Sequence, residues 1–348
     1  MSIRFHSSGA KLLLNKAKKV KSGRRLTSNE IDEIVENPDI AAWLSAYDAW
    51  IERVHRTFRK ILKSLHKKPP SNLNDWAERI DFGLRVALDD TERLQKSVQV
   101  LRQFDWTGVG KSALEFLPPK TKIETQVFAT IDGFNGGMYR EDKIFLSLVL
   151  VDATSLDPGF FGHEFHHNGF EYWWKQNPLV KRYSKEENSR EKWLLDTFAY
   201  LASEGLANAF CSPAAISKVD GDSELLRVHN SIIEEYEQDW DDLFERLIGL
   251  LHAIIDGDID KIVDYYEAFA LDMKGEGHPI GHFVSGRMVQ KMDSSIDVPR
   301  QEIIDLCKNP FKFLRMYNRA VQGNNFQFVP TDVIESIDNI LKDMRKSL

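Results

Sequence analysis

His163-Glu164-Phe165-His166-His167 is the stretch of this chain that says most about its structure. Read as H-E-x-x-H, it places His163 and His167 four residues apart, and residues at that spacing share one face of an α-helix. Both imidazoles can therefore reach a single metal ion. Glu164 lies at the edge of the same face, where it is placed to act as a general base on a metal-bound water.

The residues around this motif predict a helix from Pro158 to about Gln176. Asp157 is a typical N-cap and Pro158 suits the first helical position, while Asn177-Pro178 ends the segment. Aromatic side chains cover most faces of this helix, which indicates that it is buried. Burying imidazoles and a carboxylate without partners costs free energy, and a bound metal would account for them. The alternative is a polar helix face that carries histidines without a metal.

A catalytic zinc ion usually has three protein ligands and one open position, so a third ligand is needed. Glu171 and Glu204 compete for this role. Glu171 lies on the same predicted helix, and three ligands along one straight helix converge poorly on a tetrahedral ion. Glu204 lies on the next predicted helix, and an antiparallel helix pair would bring it towards both histidines. We therefore predict that His163, His167 and Glu204 bind one Zn²⁺ ion.

The second helix is predicted over roughly Lys185–Phe210, because Ser184 and Glu187 form a capping-box pattern at its start. The residues around Glu204 are small and apolar, as a close helix–helix contact requires. Asn208 follows Glu204 by one helical turn. We predict that its side chain orients a ligating histidine by a hydrogen bond.

With these residues the chain resembles the gluzincins, zinc peptidases that carry H-E-x-x-H on one helix and a glutamate ligand on the next. More narrowly, Glu204-Gly205-Leu206-Ala207 and its surroundings are similar to families known only as zinc-dependent peptidases of unestablished function. The resemblance covers about Ile123–Phe210 and is weaker over the C-terminal third. It implies hydrolysis of peptide bonds in a peptide or protein substrate, through a zinc-bound water that Glu164 activates.

The resemblance also points to Gly277-His278-Pro279-Ile280-Gly281-His282, which begins another predicted helix. Gluzincins commonly use a tyrosine or histidine of a downstream helix to stabilise the oxyanion that forms during hydrolysis. The resembling families tend to have a tyrosine near a glycine here, whereas this chain has histidines. We expect His278 to take the catalytic role, with His282 or a nearby tyrosine as the alternatives. His166 points away from the two ligands, so we predict a structural role for it.

Composition restricts the classes of protein to which the chain can belong. Its 348 residues carry a net charge of −7, which gives no general case for nucleic-acid binding. Two cysteines exclude a disulfide framework and argue against a cysteine-based zinc site. No segment is apolar enough to span a membrane, and the N-terminus lacks the apolar core of a signal peptide. A cytoplasmic location is therefore expected, and the basic N-terminal stretch is interpreted as a solvated helix face.

The predicted architecture is an α+β fold that is predominantly helical. A helical region spans 1–117. A zincin-like core spans 118–212 and contains a small sheet, the H-E-x-x-H helix and the glutamate-ligand helix. A C-terminal helical region over 213–348 completes a cleft above the metal.

Two long helices are predicted over Ile40–Leu65 and Leu73–Phe104, and two strands over Ile123–Thr130 and Ile144–Val151. By resemblance, the stretch near Gly136–Arg140 is the candidate edge strand that pairs with an extended substrate. A plain hairpin loop is the alternative.

The same pattern is also compatible with a non-catalytic helical scaffold or interaction protein that keeps a zincin-like fold, with a structural metal or none. Such a scaffold has no need for Glu164 between intact ligands. The presence of Glu164 therefore favours the peptidase.

Overall fold

The computed structural model describes residues 1–48, 51–67, 75–140, 142–151, 158–186, 188–221, 224–273 and 279–348. They form a predominantly helical protein with one small mixed sheet, as the sequence predicts. The chain divides into two compact units. The first comprises Met1–Gly108 and Ile123–Pro158, and the second comprises Val109–Lys122 and Gly159–Leu348. The division into three parts at 117 and 212 stays a prediction.

The first unit contains the sheet. Its strands are β1 (Ser2–His6), β2 (Glu124–Thr130), β3 (Gly137–Arg140) and β4 (Lys143–Ser147), arranged in the order β1-β2-β4-β3. β2 pairs in parallel with both β1 and β4, whereas β3 pairs antiparallel with β4 and forms one edge. The two strands predicted from the sequence are confirmed, and the candidate substrate-pairing stretch is an edge strand rather than a loop.

The second predicted strand ends earlier than Val151, at Ser147. The Ser147 hydroxyl accepts hydrogen bonds from the backbone N–H groups of Val149 and Leu150, at 3.1 and 3.0 Å. These bonds turn the chain away from the sheet. β1 was not predicted. Its His6 ring stacks on Phe128 of β2, with ring centroids 4.5 Å apart.

Six helices complete the first unit, and a seventh crosses its boundary. They are α1 (Ser8–Lys21), α2 (Ser28–Val35), α3 (Pro38–Ser45), α4 (Val54–Ser64), α5 (Asp75–Asp89), α6 (Thr91–Gln103) and α7 (Trp106–Leu114). The prediction of two long helices is wrong, because each is two helices. Arg53 has a φ of 59° directly before α4, a left-handed conformation that an α-helix does not contain. Asp90 separates α5 from α6 with a non-helical φ of −125°.

The basic N-terminal stretch forms α1, as expected. Its apolar residues Leu13 and Leu14 are buried. The ammonium groups of Lys16 and Lys19 lie 2.6 Å from carboxylate oxygens of Glu33 and Glu30. Acidic residues of α2 therefore compensate part of this positive charge within the unit.

A buried carboxylate joins α3 to the turn that follows β2. Asp132 is only 1% exposed. Its Oδ2 accepts hydrogen bonds from the Trp43 indole at 2.8 Å and the Tyr47 hydroxyl at 2.6 Å. Its Oδ1 accepts from the backbone N–H groups of Phe134 and Asn135. Burial raises the pKa of Asp132, although these hydrogen bonds oppose the change.

Replacing Asp132 with alanine should lower the free energy of unfolding by about 3 kcal/mol, because buried indole and hydroxyl donors lose their acceptor. Urea denaturation measures this change. Tyr47→Phe removes one donor to Asp132 and leaves the Trp43 indole and the two backbone N–H groups paired with that carboxylate, so it should cost only about 1 kcal/mol. Equal effects of the two substitutions would contradict this account of the cluster.

The second unit is built from helices. They are α8 (Pro158–Trp174), α9 (Pro178–Tyr183), α10 (Arg190–Leu206), α11 (Glu224–Gln238), α12 (Trp240–Asp256), α13 (Ile259–Tyr266), α14 (Ile280–Ser294), α15 (Arg300–Ile304), α16 (Phe313–Val321) and α17 (Thr331–Lys346). In the parts of the chain that the structure describes, none of the helices combines the length and apolar character needed to cross a membrane.

The helix that carries the histidine motif is α8, and its predicted extent is confirmed to within two residues. Asp157, its predicted N-cap, lies outside the described residues. After α8, the Asn177 side chain accepts a hydrogen bond from the Leu179 N–H at 3.0 Å and so caps α9. Asn177-Pro178 thus separates the two helices as expected.

The next long helix, α10, begins at Arg190 rather than at Lys185. Its N-cap is Ser189, whose hydroxyl accepts a hydrogen bond from the Lys192 N–H at 3.1 Å. The predicted capping-box residue Glu187 lies outside the described residues. After α10 the chain continues as a π-helical turn over Ala207–Cys211.

Candidate metal centre

Three donor groups meet between α8 and α10. The Nε2 atoms of His163 and His167 are 2.9 Å apart. Glu204 Oε2 lies 3.4 Å from His163 Nε2, and Glu204 Oε1 lies 3.3 Å from His167 Nε2. The four-residue spacing on α8 thus turns both rings towards one point, and α10 brings the carboxylate to it.

The donors and their spacing fit a single metal ion. Imidazole nitrogen and carboxylate oxygen are ligands that Zn²⁺ prefers, at bond lengths of about 2.0–2.1 Å. At tetrahedral angles, such bonds separate neighbouring donor atoms by roughly 3.3 Å. All three donors lie within 4.8 Å of one another, and among the described residues no other such cluster is found.

Glu171 takes no part in this cluster. Its carboxylate lies 2.8 Å from the ammonium group of Lys175, one turn further along α8. Of the two glutamates that the sequence offers as a third ligand, the structure places Glu204 beside the histidines.

Each of the two histidines also contacts a serine. His167 Nδ1 lies 2.6 Å from the Ser203 hydroxyl, and His163 Nδ1 lies 3.2 Å from the Ser212 hydroxyl. The Nδ1 atom of each ring is thus engaged by a hydroxyl, while the Nε2 atom faces the cluster.

Glu204 has further partners on its other side. His282 Nδ1, near the start of α14, lies 3.5 Å from Glu204 Oε2. Although burial raises the pKa of Glu204, the nearby His167 and His282 outweigh it and hold that pKa well below its usual range. The carboxylate is therefore charged and available as a ligand.

Asn208 was predicted to contact a ligating histidine, but within the described residues its side chain contacts Glu204 instead. Its amide nitrogen donates to the backbone oxygen of Glu204 at 2.8 Å, and the Glu204 Oε2 atom lies 3.5 Å away. The four-residue separation explains this contact, because residues at that spacing lie one above the other on the same helix.

Glu164, the predicted general base, is 7% exposed. Burial raises its pKa to about 7; the nearby His163 opposes this change and Glu204 adds to it. Within the described part of the chain, the Glu164 carboxylate accepts no hydrogen bond. Glu164 is thus a buried carboxylate next to the cluster, and no hydrogen bond from the described residues stabilises its charged form.

His166 lies away from the cluster, as predicted. It is fully buried, and its Nε2 atom is 3.2 Å from the backbone oxygen of Phe116. Burial lowers the pKa of His166 to about 3. A neutral, hydrogen-bonded imidazole in the interior agrees with a structural role.

His278 lies outside the described residues, and its catalytic role stays a prediction. His282, the alternative, is present at the cluster. Its ring centroid is 6.4 Å from that of His163 and 5.8 Å from that of Tyr200.

Tyr200, Ser203 and Ser212 lie at the site but were not predicted from the sequence. Tyr200 precedes Glu204 by four residues, so helical spacing could have revealed it. Ser203 directly precedes Glu204 in an otherwise apolar segment, which is a weaker signal. Nothing in the sequence pattern pointed to Ser212.

The helical fold and this donor cluster define a candidate metal-binding protein with a ligand set suited to zinc. Comparison with protein families is more specific. The chain belongs to the family described as "Putative zinc dependent peptidase (DUF5700)", which matches residues 32–325. This range is well over half of the chain and contains the whole cluster. No curated protein and no solved structure matches the chain.

Close packing of α10 against α14 helps to fix the position of Glu204. A Cβ atom added at Gly205 would lie 2.9 Å from the backbone oxygen of Ser285 and 2.9 Å from Cγ2 of Val289. The close helix–helix contact that the small residues predict therefore exists, and α14 is the partner of Gly205.

Gly205→Ala should therefore destabilise the protein by roughly 1–3 kcal/mol, because a methyl group there meets backbone that cannot yield easily. Gly162→Ala in α8 is the matched control, since its Cβ would lie at an ordinary 3.5 Å from Cys211. The control should gain up to about 1 kcal/mol of helix propensity. Thermal unfolding separates the two, and equal shifts would show that the α10–α14 contact is not tight.

Proposed function

We propose that this protein is a zinc-dependent metallopeptidase of the gluzincin type, with a zincin-like catalytic fold. One observation carries the proposal: His163 and His167 of α8 and Glu204 of α10 converge beside the buried carboxylate of Glu164. Membership of a family described as zinc-dependent peptidases supports the same conclusion.

In this proposal, His163, His167 and Glu204 hold one zinc ion. Bound zinc would supply Lewis acidity, which lowers the pKa of a water molecule and polarises a carbonyl group. The low pKa of Glu204 keeps its carboxylate ionised as a ligand. The serine contacts at Nδ1 leave the Nε2 atoms of both rings directed into the site.

Glu164 transfers the proton. Its carboxylate oxygen takes a proton from the attacking water, whose oxygen bonds to the carbonyl carbon of the peptide. The same carboxyl group then gives this proton to the nitrogen of the leaving amine as the C–N bond breaks. The burial of Glu164 supports this role, because a shielded carboxyl group loses its proton less readily to bulk water before the second transfer.

Stabilisation of the oxyanion is assigned to a histidine at or near the start of α14. His278 is the residue that the resemblance implies. His282 is the second candidate, since it lies beside Glu204 and near the ring of His163. Peptides or proteins are the proposed substrates, and a cytoplasmic location and the absence of nucleic-acid partners remain expectations from composition.

Glu164→Gln should keep zinc and lose activity. The amide cannot accept the proton from water, so kcat/KM on a cleaved peptide should fall by about 10²–10⁴-fold. Elemental analysis of the same preparation should show an unchanged zinc content. Glu171→Gln is the matched control on the same helix, because Glu171 pairs with Lys175 outside the cluster. Comparable losses in both variants would argue against Glu164 as the proton carrier.

Glu204→Ala should weaken zinc binding, since the site then keeps two of its three ligands. Competition with a chromophoric chelator measures the affinity, and a zinc chelator should stop cleavage of a broad peptide library by the wild type. A wild-type protein purified gently and without chelators should contain one zinc ion per chain. A wild-type preparation without zinc would contradict the proposal. Bound zinc without any peptide cleavage would favour the non-catalytic scaffold.

A further inference from the structure

The two serines that contact the histidine rings take no part in the proposed proton transfers. We propose that Ser203 and Ser212 are positioning residues, which orient the two histidines for the metal by holding their Nδ1 atoms. This inference rests on the proposed zinc site. It concerns how the site is prepared for the ion, rather than the reaction itself.

The hydrogen-bond pattern is the first argument. Each ring has two nitrogens, and the serine hydroxyls lie 2.6 and 3.2 Å from the Nδ1 atoms of His167 and His163. When the hydroxyl accepts the Nδ1–H, the ring is held in the tautomer whose Nε2 atom carries a free lone pair. That lone pair is what a metal ion requires, and both Nε2 atoms face the cluster.

Burial makes these contacts effective. The side chains of His163 and His167 are 13% and 11% exposed. Bulk water therefore competes weakly for their Nδ1 atoms. A ring without its serine loses one restraint on its orientation and can take the other tautomer, in which the lone pair points away from the cluster.

The backbone is the second argument. Ser203 lies in the last turn of α10, beside Glu204. The π-helical turn Ala207–Cys211 follows, and Ser212 ends it with its N–H donating to the Ala207 oxygen at 3.1 Å. Wide turns of this kind occur mostly as single turns in helices and often at functional sites. Here the turn leads to the hydroxyl that contacts His163.

One continuous segment, residues 203–212, thus supplies the third ligand and both hydroxyls. α8 supplies the two histidines. The orientation of the rings is therefore coupled to the position of Glu204, because the same piece of backbone determines both.

The choice of serine also sets the charge of the site. Zinc-ligating histidines often donate to a carboxylate, which makes the ring more basic. The hydroxyls orient the rings without adding negative charge. The site already holds the carboxylates of Glu164 and Glu204, and the serines add no third one.

The test compares zinc affinity in matched variants. Ser203→Ala and Ser212→Ala should each bind zinc about 10–100-fold more weakly than the wild type, the usual effect of removing such a partner. Ser203→Thr keeps the hydroxyl and should restore most of the affinity. Ser189→Ala is the control on the same helix: it removes the N-cap of α10, so it should lower the melting temperature and leave zinc affinity unchanged.

A spectroscopic measurement detects the contact directly. In zinc-loaded protein with ¹⁵N-labelled histidine, His163 and His167 should each show a slowly exchanging Nδ1–H proton. Ser203→Ala should abolish the slow exchange at His167 and leave His163 unaffected. Ser212→Ala should do the reverse.

The outcomes separate this inference from the proposed function. If Glu204→Ala loses zinc while both serine-to-alanine variants bind it like the wild type, the positioning role is wrong and the zinc site stands. If Ser189→Ala weakens zinc binding as much as Ser203→Ala does, the effect is one of helix stability, and the positioning role is again wrong. If the wild type binds no zinc, both proposals fail.

Discussion

The second unit depends on one constraint: three polar donors are held close together in a shielded place. Two imidazole nitrogens 2.9 Å apart cannot both present lone pairs without repulsion, and the carboxylate of Glu204 cannot be buried alone at low cost. A proton or a metal ion must lie among them. The positive charge of that proton or metal ion compensates the buried carboxylate of Glu204. It thereby favours the packing of α8 with α10 and the approach of His282 from α14.

Much of this arrangement could be predicted from the sequence, because it depends on residues close together along the chain. Helical spacing placed His163 and His167 on one face of α8. Asn177-Pro178 marked the end of that helix, and two β-branched segments marked β2 and β4. The choice of Glu204 over Glu171 also followed from a local argument, since ligands from two helices converge better than ligands from one.

The features that could not be predicted depend on contacts between distant parts of the chain. β1 was not predicted, and it lies in the sheet by pairing with β2, which follows it by more than a hundred residues. The two long helices predicted in the N-terminal region are four helices in the structure. The helical spacing of apolar residues continues across Arg53 and Asp90, but the backbone at these two residues is not helical. Ser212 reaches His163 only through a π-helical turn, and such a turn has no clear sequence signature.

The position of Glu164 sets the stability of the fold against the proton transfer that we propose for this residue. A carboxylate that is 7% exposed and accepts no hydrogen bond from the described residues destabilises the fold in its charged form. Its neighbours do not remove this cost, since Glu204 adds a like charge while His163 offsets only part of the burial. A glutamine at this position would pack in nearly the same volume without the charge. The carboxylate therefore does not stabilise the fold. A group that must accept a proton and then release it is most effective when its pKa lies near neutral pH.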